Sequence, residues 1–295
     1  MPMSKRIVYT VARGQSKFAE MAMGLGRSLR LIGDTNPRII ATDIEGYDWK
    51  RYFDHVIPLS GKRSALDKLL ALESTDADQV LAIDVDMLAF KRLNPIFDYC
   101  AGKPFAVQGH WESDGVFHGL SVSEILSKYS LERMPRFNGG LAYYERNAEF
   151  EQLLSSMKGA ESNYDSYGFD PFGRGQHASE EVCMLLAMIQ LQKFDYLIPP
   201  ELQFQHSAAG LVGKLHLDIL RNECKYISRQ RYCEFYEPIL FHAWRYKDFL
   251  VYWKQLDKLK GLEQFEDNHP TLYMPRWVKW SRSIQRRILK MRGLT

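Results

Sequence analysis

What most constrains this chain is a rhythm in its first third, where short apolar runs alternate with helical patterns. Residues 7–12 form an apolar run that reads as a buried first strand. Gly14 follows, and then Phe18, Met21, Leu25 and Leu29 recur at three- and four-residue steps, the spacing of one helix face over residues 16–31. Residues 37–42 and 55–59 read as second and third strands, residues 64–72 as a helix, and residues 80–83 as a fourth strand. Strands alternating with helices in this way fold as an α/β structure, with a mostly parallel central sheet flanked by helices. Ligands of such sheets bind at the carboxyl ends of the strands.

Residues 105–108 and 140–144 continue the sheet, residues 179–191 read as a helix, and residues 238–244 as a short late strand. Two glycine-rich irregular stretches, 109–119 and 164–175, are expected to border a substrate opening. The 295 residues suffice for one catalytic domain over 1–268 followed by a tail over 269–295. Four cysteines show no CxxC pair, and Cys183 sits inside an apolar helical pattern, which suits buried thiols in a reducing compartment. No apolar run approaches the length of a membrane span, so a cytoplasmic chain is expected, peripheral on a membrane at most.

Two Asp-x-Asp triplets occur, Asp76-Ala-Asp78 and Asp84-Val-Asp86, and composition alone would produce about one. Asp76 and Asp78 fall in a polar turn. Asp84 and Asp86 instead end the apolar run Val80-Leu-Ala-Ile83, where strand alternation would place both on one side and Val85 in the core. Adjacent carboxylates among apolar residues raise each other's pKa unless a cation compensates them. The pair therefore suits Mg²⁺ or Mn²⁺ shared with the oxygens of a diphosphate. Two chemistries place such a motif after a buried strand. One is glycosyl transfer from a nucleotide sugar. The other is phosphoryl transfer by haloacid-dehalogenase-like hydrolases, with Asp84 as nucleophile. Met87 and Leu88 after the pair, and the long run of βα units before it, favour the first.

From residue 7 to about residue 247 the chain resembles the retaining nucleotide-sugar glycosyltransferases of family 8. The likeness is carried by Tyr9-Thr-Val-Ala12 with its following helix, by Asp84-Val-Asp86, by Arg136-Phe-Asn-Gly-Gly-Leu-Ala-Tyr-Tyr144, by Ser179-Glu-Glu181 and by Ile239-Leu-Phe-His-Ala-Trp244. It implies a GT-A-type fold whose residues 1–107 bind the nucleotide sugar and whose residues 108–268 bind the acceptor. Thr10, Val11 and Ala12 would cradle the nucleoside, and Lys68 and Lys247 would face the phosphates. Asn138 and Gly139 would meet the donor sugar. Asp84, Asp86 and His242 would hold the metal, and Glu180 or Glu181 would stand at the reacting carbon. Glu181 departs from the amide common in the family, and the Gly-Lys-Pro-Trp that usually follows the late His is missing. The implied donor is a UDP-sugar and the implied acceptor a glycan or glycolipid of polysaccharide or lipopolysaccharide synthesis. A non-catalytic binding module on the same fold is the further alternative.

The formal charge of +3 conceals a split. After Asp267 there is no acidic residue and seven basic ones, so the body carries −4 and the tail +7. Trp277, Trp280, Ile284, Ile288 and Met291 share one helical arc, with Lys279, Arg282, Arg286 and Lys290 opposite and Arg287 at its edge. That is the pattern of a basic amphipathic helix on an anionic membrane surface, with indoles at the headgroups. Nucleic acid is not an expected partner, because the acidic body would repel it.

Overall fold

The computed structural model describes residues 5–62, 64–171, 178–207, 213–228, 235–244 and 246–269. In chain order the elements are β1 (Arg6–Ala12), α1 (Ser16–Leu31), β2 (Arg38–Thr42), β3 (His55–Pro58), α2 (Leu70–Ser74), β4 (Gln79–Ile83), β5 (Met87–Ala89) and α3 (Asn94–Cys100). There follow β6 (Phe105–Glu112), β7 (Val116–Phe117), β8 (Leu120–Ser121), α4 (Val122–Tyr129), β9 (Met134–Glu145), α5 (Ala148–Ser162), α6 (Tyr164–Tyr167) and α7 (Glu180–Leu191). Last come β10 (Leu197–Ile198), β11 (Gln205–His206), β12 (Gly213–Asp218), β13 (Glu223–Ser228), β14 (Phe235–Tyr236), β15 (Leu240–His242) and α8 (Tyr246–Asn268).

The central sheet has seven strands in the order β10-β6-β9-β4-β1-β2-β3. All neighbours pair in parallel except β9, which runs antiparallel to both β4 and β6. Every residue of β4 is buried, and the inner strands read as unbroken apolar runs because helices cover both faces. A smaller sheet, β11-β15-β5, has one consequence for the site. The antiparallel pair β5·β15 sets His242 opposite Met87, one residue past the acidic pair.

Helix α8 returns to α1 through a charged cluster. The Glu263 carboxylate accepts hydrogen bonds from Arg27 Nε at 2.7 Å, Tyr52 Oη at 2.6 Å, Arg30 Nη2 at 2.9 Å and Arg51 Nε at 2.9 Å. Burial alone would raise the Glu263 pKa, but its Tyr52 and Arg27 partners hold it down at about 2.

Several expectations are revised. Residues 64–72 are not one helix: a 3₁₀ turn (Asp67–Leu69) leads into the short α2. The Glu161 carboxylate accepts from both Ser64 Oγ and Ala65 N at 2.7 Å, which pins that segment by a tertiary contact. The stretch 109–119 is ordered pairing rather than irregular loop, for β6 runs on to Glu112 against Met134–Phe137 of β9 and is followed by the β7·β8 hairpin. The stretch 164–175 begins with α6, and residues 172–177 lie outside the described set. The Asp76 triplet is a turn, with Lys5 paired to Asp76 and Lys5 N donating to Asp78. Cys100, Cys183 and Cys224 are free, buried thiols, and Cys233 lies outside the described residues. No described helix is long and apolar enough to cross a membrane. The amphipathic tail also falls outside the described residues.

Candidate active site

Strand β4 ends at Ile83, so Asp84 and Asp86 project from the turn that follows rather than from the strand. The turn, closed by Met87 N donating to Asp84 O at 3.2 Å, brings both carboxylates to one side, with Val85 buried as expected. Ala243 N donates to Asp86 O at 3.0 Å, which seats β15 against this turn. His242 Nε2 then lies 3.3 Å from Asp86 Oδ1 and 3.8 Å from Asp84 Oδ2. Burial alone would lower the His242 pKa, but the charges of Asp86 and Asp84 outweigh it and raise the value.

One ligand atom from each of Asp84, Asp86 and His242 falls within 4.8 Å of the others. Two carboxylate oxygens and an imidazole gathered this closely are a donor set that fits Mn²⁺ or Mg²⁺. Gly140 makes the cluster possible. A Cβ there would lie 2.6 Å from His242 Cε1 and 2.6 Å from Met87 Cε, so any side chain would push the imidazole off the site.

Lys68, carried by the 3₁₀ turn, reaches into the same place. Its Nζ contacts Asp84 Oδ1 at 2.7 Å, Glu180 Oε2 at 2.9 Å and Gly139 O at 2.7 Å. Burial works to lower its pKa, yet Asp84 and Glu180 together hold it above the ordinary lysine value. Glu180, in the first turn of α7, is pushed up to about 7 by burial and by the charge of Asp84, against the pull of Lys68. Glu181 next to it accepts Gly139 N–H on Oε1 at 2.9 Å.

These groups line a cavity of about 400 Å³ at the carboxyl ends of β1 and β4. Val11, Lys68, Asp84, Asp86, Asn138, Gly139, Glu180, Glu181 and His242 all line it. Two expected positions present no side chain to it. The Thr10 hydroxyl donates to Ile83 O at 2.7 Å, tying β1 to β4, and Ala12 is buried in a core cluster. Lys247 falls in α8, but its side chain lies outside the described set.

Other residues emerge only from the fold. Arg13 lines the cavity and braces its rim, donating to Asp67 Oδ2 at 2.8 Å and to the carbonyls of Ser60, Gly61 and Lys62. Buried Gln205 donates through Nε2 to Asn138 O at 3.1 Å, and exchanges two hydrogen bonds with Gln108. Trp244, half exposed, also lines the cavity. His118, on the β7·β8 turn, lies against Glu181. A basic residue beside the first strand was the only signal for Arg13. Trp244 stood in the late-strand motif, and Gln205 and His118 carry no signal that spacing can reveal.

No protein-family model matches the sequence, and no curated protein matches it. Solved structures do match in fold. The apo form of the glycosyltransferase GlyE of Streptococcus pneumoniae TIGR4 aligns with a TM-score of 0.51 at 11% identity, over 90% of this chain and 64% of that one. An active-site mutant of LgtC aligns with a TM-score of 0.52 at 13% identity, over 86% of this chain and 95% of that one. The chain thus spans less than two thirds of GlyE. At these identities the likeness is one of fold: a mixed α/β structure of the GT-A glycosyltransferase type, with a mainly parallel central sheet flanked by helices.

Proposed function

We propose that the protein is a metal-dependent glycosyltransferase. It moves a sugar from a nucleoside diphosphate sugar, a UDP-sugar in the first instance, to a hydroxyl of a glycan or glycolipid, with retention at the anomeric carbon. The observation that supports it best is the convergence of Asp84, Asp86, His242 and Lys68 in one cavity at the strand ends of a GT-A sheet. Asp84, Asp86 and His242 would hold Mn²⁺ or Mg²⁺. When bound, that ion supplies Lewis-acid neutralisation of the charge on the departing diphosphate.

The chain's own groups do the rest. Lys68 holds a fixed positive charge beside Asp84, preorganised for the leaving group and needing no rearrangement as the bond breaks. Asn138, whose Oδ1 is oriented by Gly140 N at 3.0 Å, offers its amide to the sugar hydroxyls. Glu180 and Glu181 flank the reacting carbon. Residues 1–107 form the donor half, residues 108–268 the acceptor half, and the basic tail attaches the enzyme to an anionic membrane that bears the acceptor.

The test is release of nucleoside diphosphate across a panel of nucleotide sugars with and without Mn²⁺. Turnover that needs the metal and disappears in Asp84→Asn with Asp86→Asn supports the reading. Inorganic phosphate released from phosphoesters with labelling of Asp84 would make it a phosphohydrolase instead, and binding without turnover a non-catalytic module.

A further inference from the structure

Glu181 is held through both carboxylate oxygens, and one of its two holders stands on a left-handed turn. Oε1 accepts the Gly139 N–H at 2.9 Å, and Oε2 lies 3.2 Å from His118 Nε2. Ser179 Oγ is 3.3 Å from the same nitrogen. A carboxylate accepts hydrogen bonds, so the contact to Glu181 calls for the donor proton on His118 Nε2. His118 is largely buried, its side chain 17% exposed.

The backbone that delivers this imidazole is unusual. His118 and Gly119 are the two central residues of the β7·β8 hairpin, whose innermost pair is Phe117 with Leu120. Both have positive φ, 45° and 85°, the pattern of a primed hairpin turn. Glycine and asparagine suit the first of these positions, and histidine there is uncommon.

The turn is set by contacts that do not involve the imidazole. Asp170 N donates to His118 O at 2.7 Å, and Arg136 Nη1 donates to Val116 O at 2.8 Å. The Asp170 carboxylate fills the space a Cβ on Gly119 would need, 2.3 Å away. A mount in a conformation that residues with side chains rarely adopt, carrying an imidazole that meets Glu181 and Ser179, is a recurring sign of function.

We propose that His118 is a positioning residue for Glu181. It keeps that carboxylate in one orientation at the sugar end of the cavity. Glu180 and Glu181 are neighbours in sequence and both line the cavity, where two mobile carboxylates would repel each other and compete for Lys68. The structure separates them: Glu180 pairs with Lys68, and Glu181 with His118 and Gly139 N. The role assigned to Glu181 in transfer rests on the glycosyltransferase reading. The contact itself does not.

Two variants of similar size isolate the effect, His118→Gln and His118→Leu, because both must adopt the same left-handed turn and only Gln retains an N–H donor. Transfer by His118→Leu should lose roughly tenfold or more in kcat, as misplaced catalytic groups do, with donor KM within about twofold of wild type. His118→Gln should recover most of the loss. Unchanged kcat in His118→Leu, an equal fall in both variants, or a change confined to KM would each overturn the proposal. Nitrogen-15 spectra of histidine-labelled protein, without substrate, give a second reading. They should show His118 as the Nε2–H tautomer, with its proton exchanging faster in Glu181→Ala. An Nδ1–H tautomer overturns the proposal whatever the turnover. If the wild type turns over no nucleotide sugar yet shows the Nε2–H tautomer, the glycosyltransferase reading fails and the positioning contact stands.

Discussion

Replacing Gly140 by alanine tests the site with a single methyl group. Its Cβ would sit 2.6 Å from His242 Cε1, 2.6 Å from Met87 Cε and 2.8 Å from Asn138 Oδ1, where ordinary contact begins at 3.4 Å. The shortfall at the imidazole is about 0.8 Å, well beyond the ~0.2 Å tolerance of a metal–ligand distance. Met87 Cε is the end of a flexible chain and can yield. The imidazole is buried and tied to Asp86, so it must turn or take β15 with it. Gly140 has no positive φ, so the backbone accepts alanine and the effect is steric.

Overpacking of this size costs about 1–3 kcal/mol of stability, and disturbing a ligand's orientation from outside the coordination sphere should weaken Mn²⁺ binding by roughly 10- to 100-fold. Calorimetric titration of Mn²⁺ into the folded protein measures this without a substrate. Gly139→Ala is the matched control. Its Cβ would meet nothing closer than Glu181 Cγ at 3.4 Å, so affinity should stay within about twofold. Wild-type affinity in Gly140→Ala, or an equal loss in Gly139→Ala, would refute the placement of His242 at the metal.

Glu263→Gln should destabilise the protein at neutral pH by on the order of 2–3 kcal/mol, because it withdraws the charge from four donors. The folded pKa of Glu263 is depressed to about 2 from an ordinary 4.5, so its stabilisation is fully present above about pH 5 and fades as pH falls toward 2. The gap between wild-type and variant melting temperatures should close over that window, and a gap independent of pH would sink the assignment. Lys68→Met leaves Asp84 and Glu180 without their buried cation, and kcat should fall by roughly 10²–10³. Lys68→Arg should not restore it, since a guanidinium does not fit between three partners within 2.9 Å, and full activity in Lys68→Arg would count against that geometry. Removing the residues after Tyr273 should abolish co-sedimentation with anionic vesicles while leaving donor hydrolysis intact, and unchanged sedimentation would end the role given to the tail.

Local pattern was enough for the elements whose reasons are local. The helix read from Phe18, Met21, Leu25 and Leu29 is α1, Ser16–Leu31, because a buried face and a glycine before its start leave one solution. The inner strands β1 and β4 were legible because both their faces are buried and their sequences are apolar throughout. Asp84, Asp86 and His242 stood out for a related reason: polar groups at the ends of apolar strands need a partner. Their convergence could be expected from the family likeness, while the distances between them could not.

The rest was decided at long range. Residues 109–112 carry no strand alternation, yet they extend β6 because Met134–Phe137 of β9 offer open hydrogen-bonding groups beside them. The helix expected over 64–72 gave way to a carboxylate nearly a hundred residues on, where Glu161 takes the Ser64 hydroxyl and the Ala65 amide. His118 meets Glu181 across 63 residues and Gln205 meets Asn138 across 67. No periodicity encodes such pairs. Hydrophobic spacing fixes which way a side chain points along its own element, and so the sequence alone determined the inner strands, α1 and the place of the acidic pair just after β4. Which side chains share a cavity depends on how those elements pack, and that brought Lys68, Glu180, Glu181 and His118 into one electrostatic network.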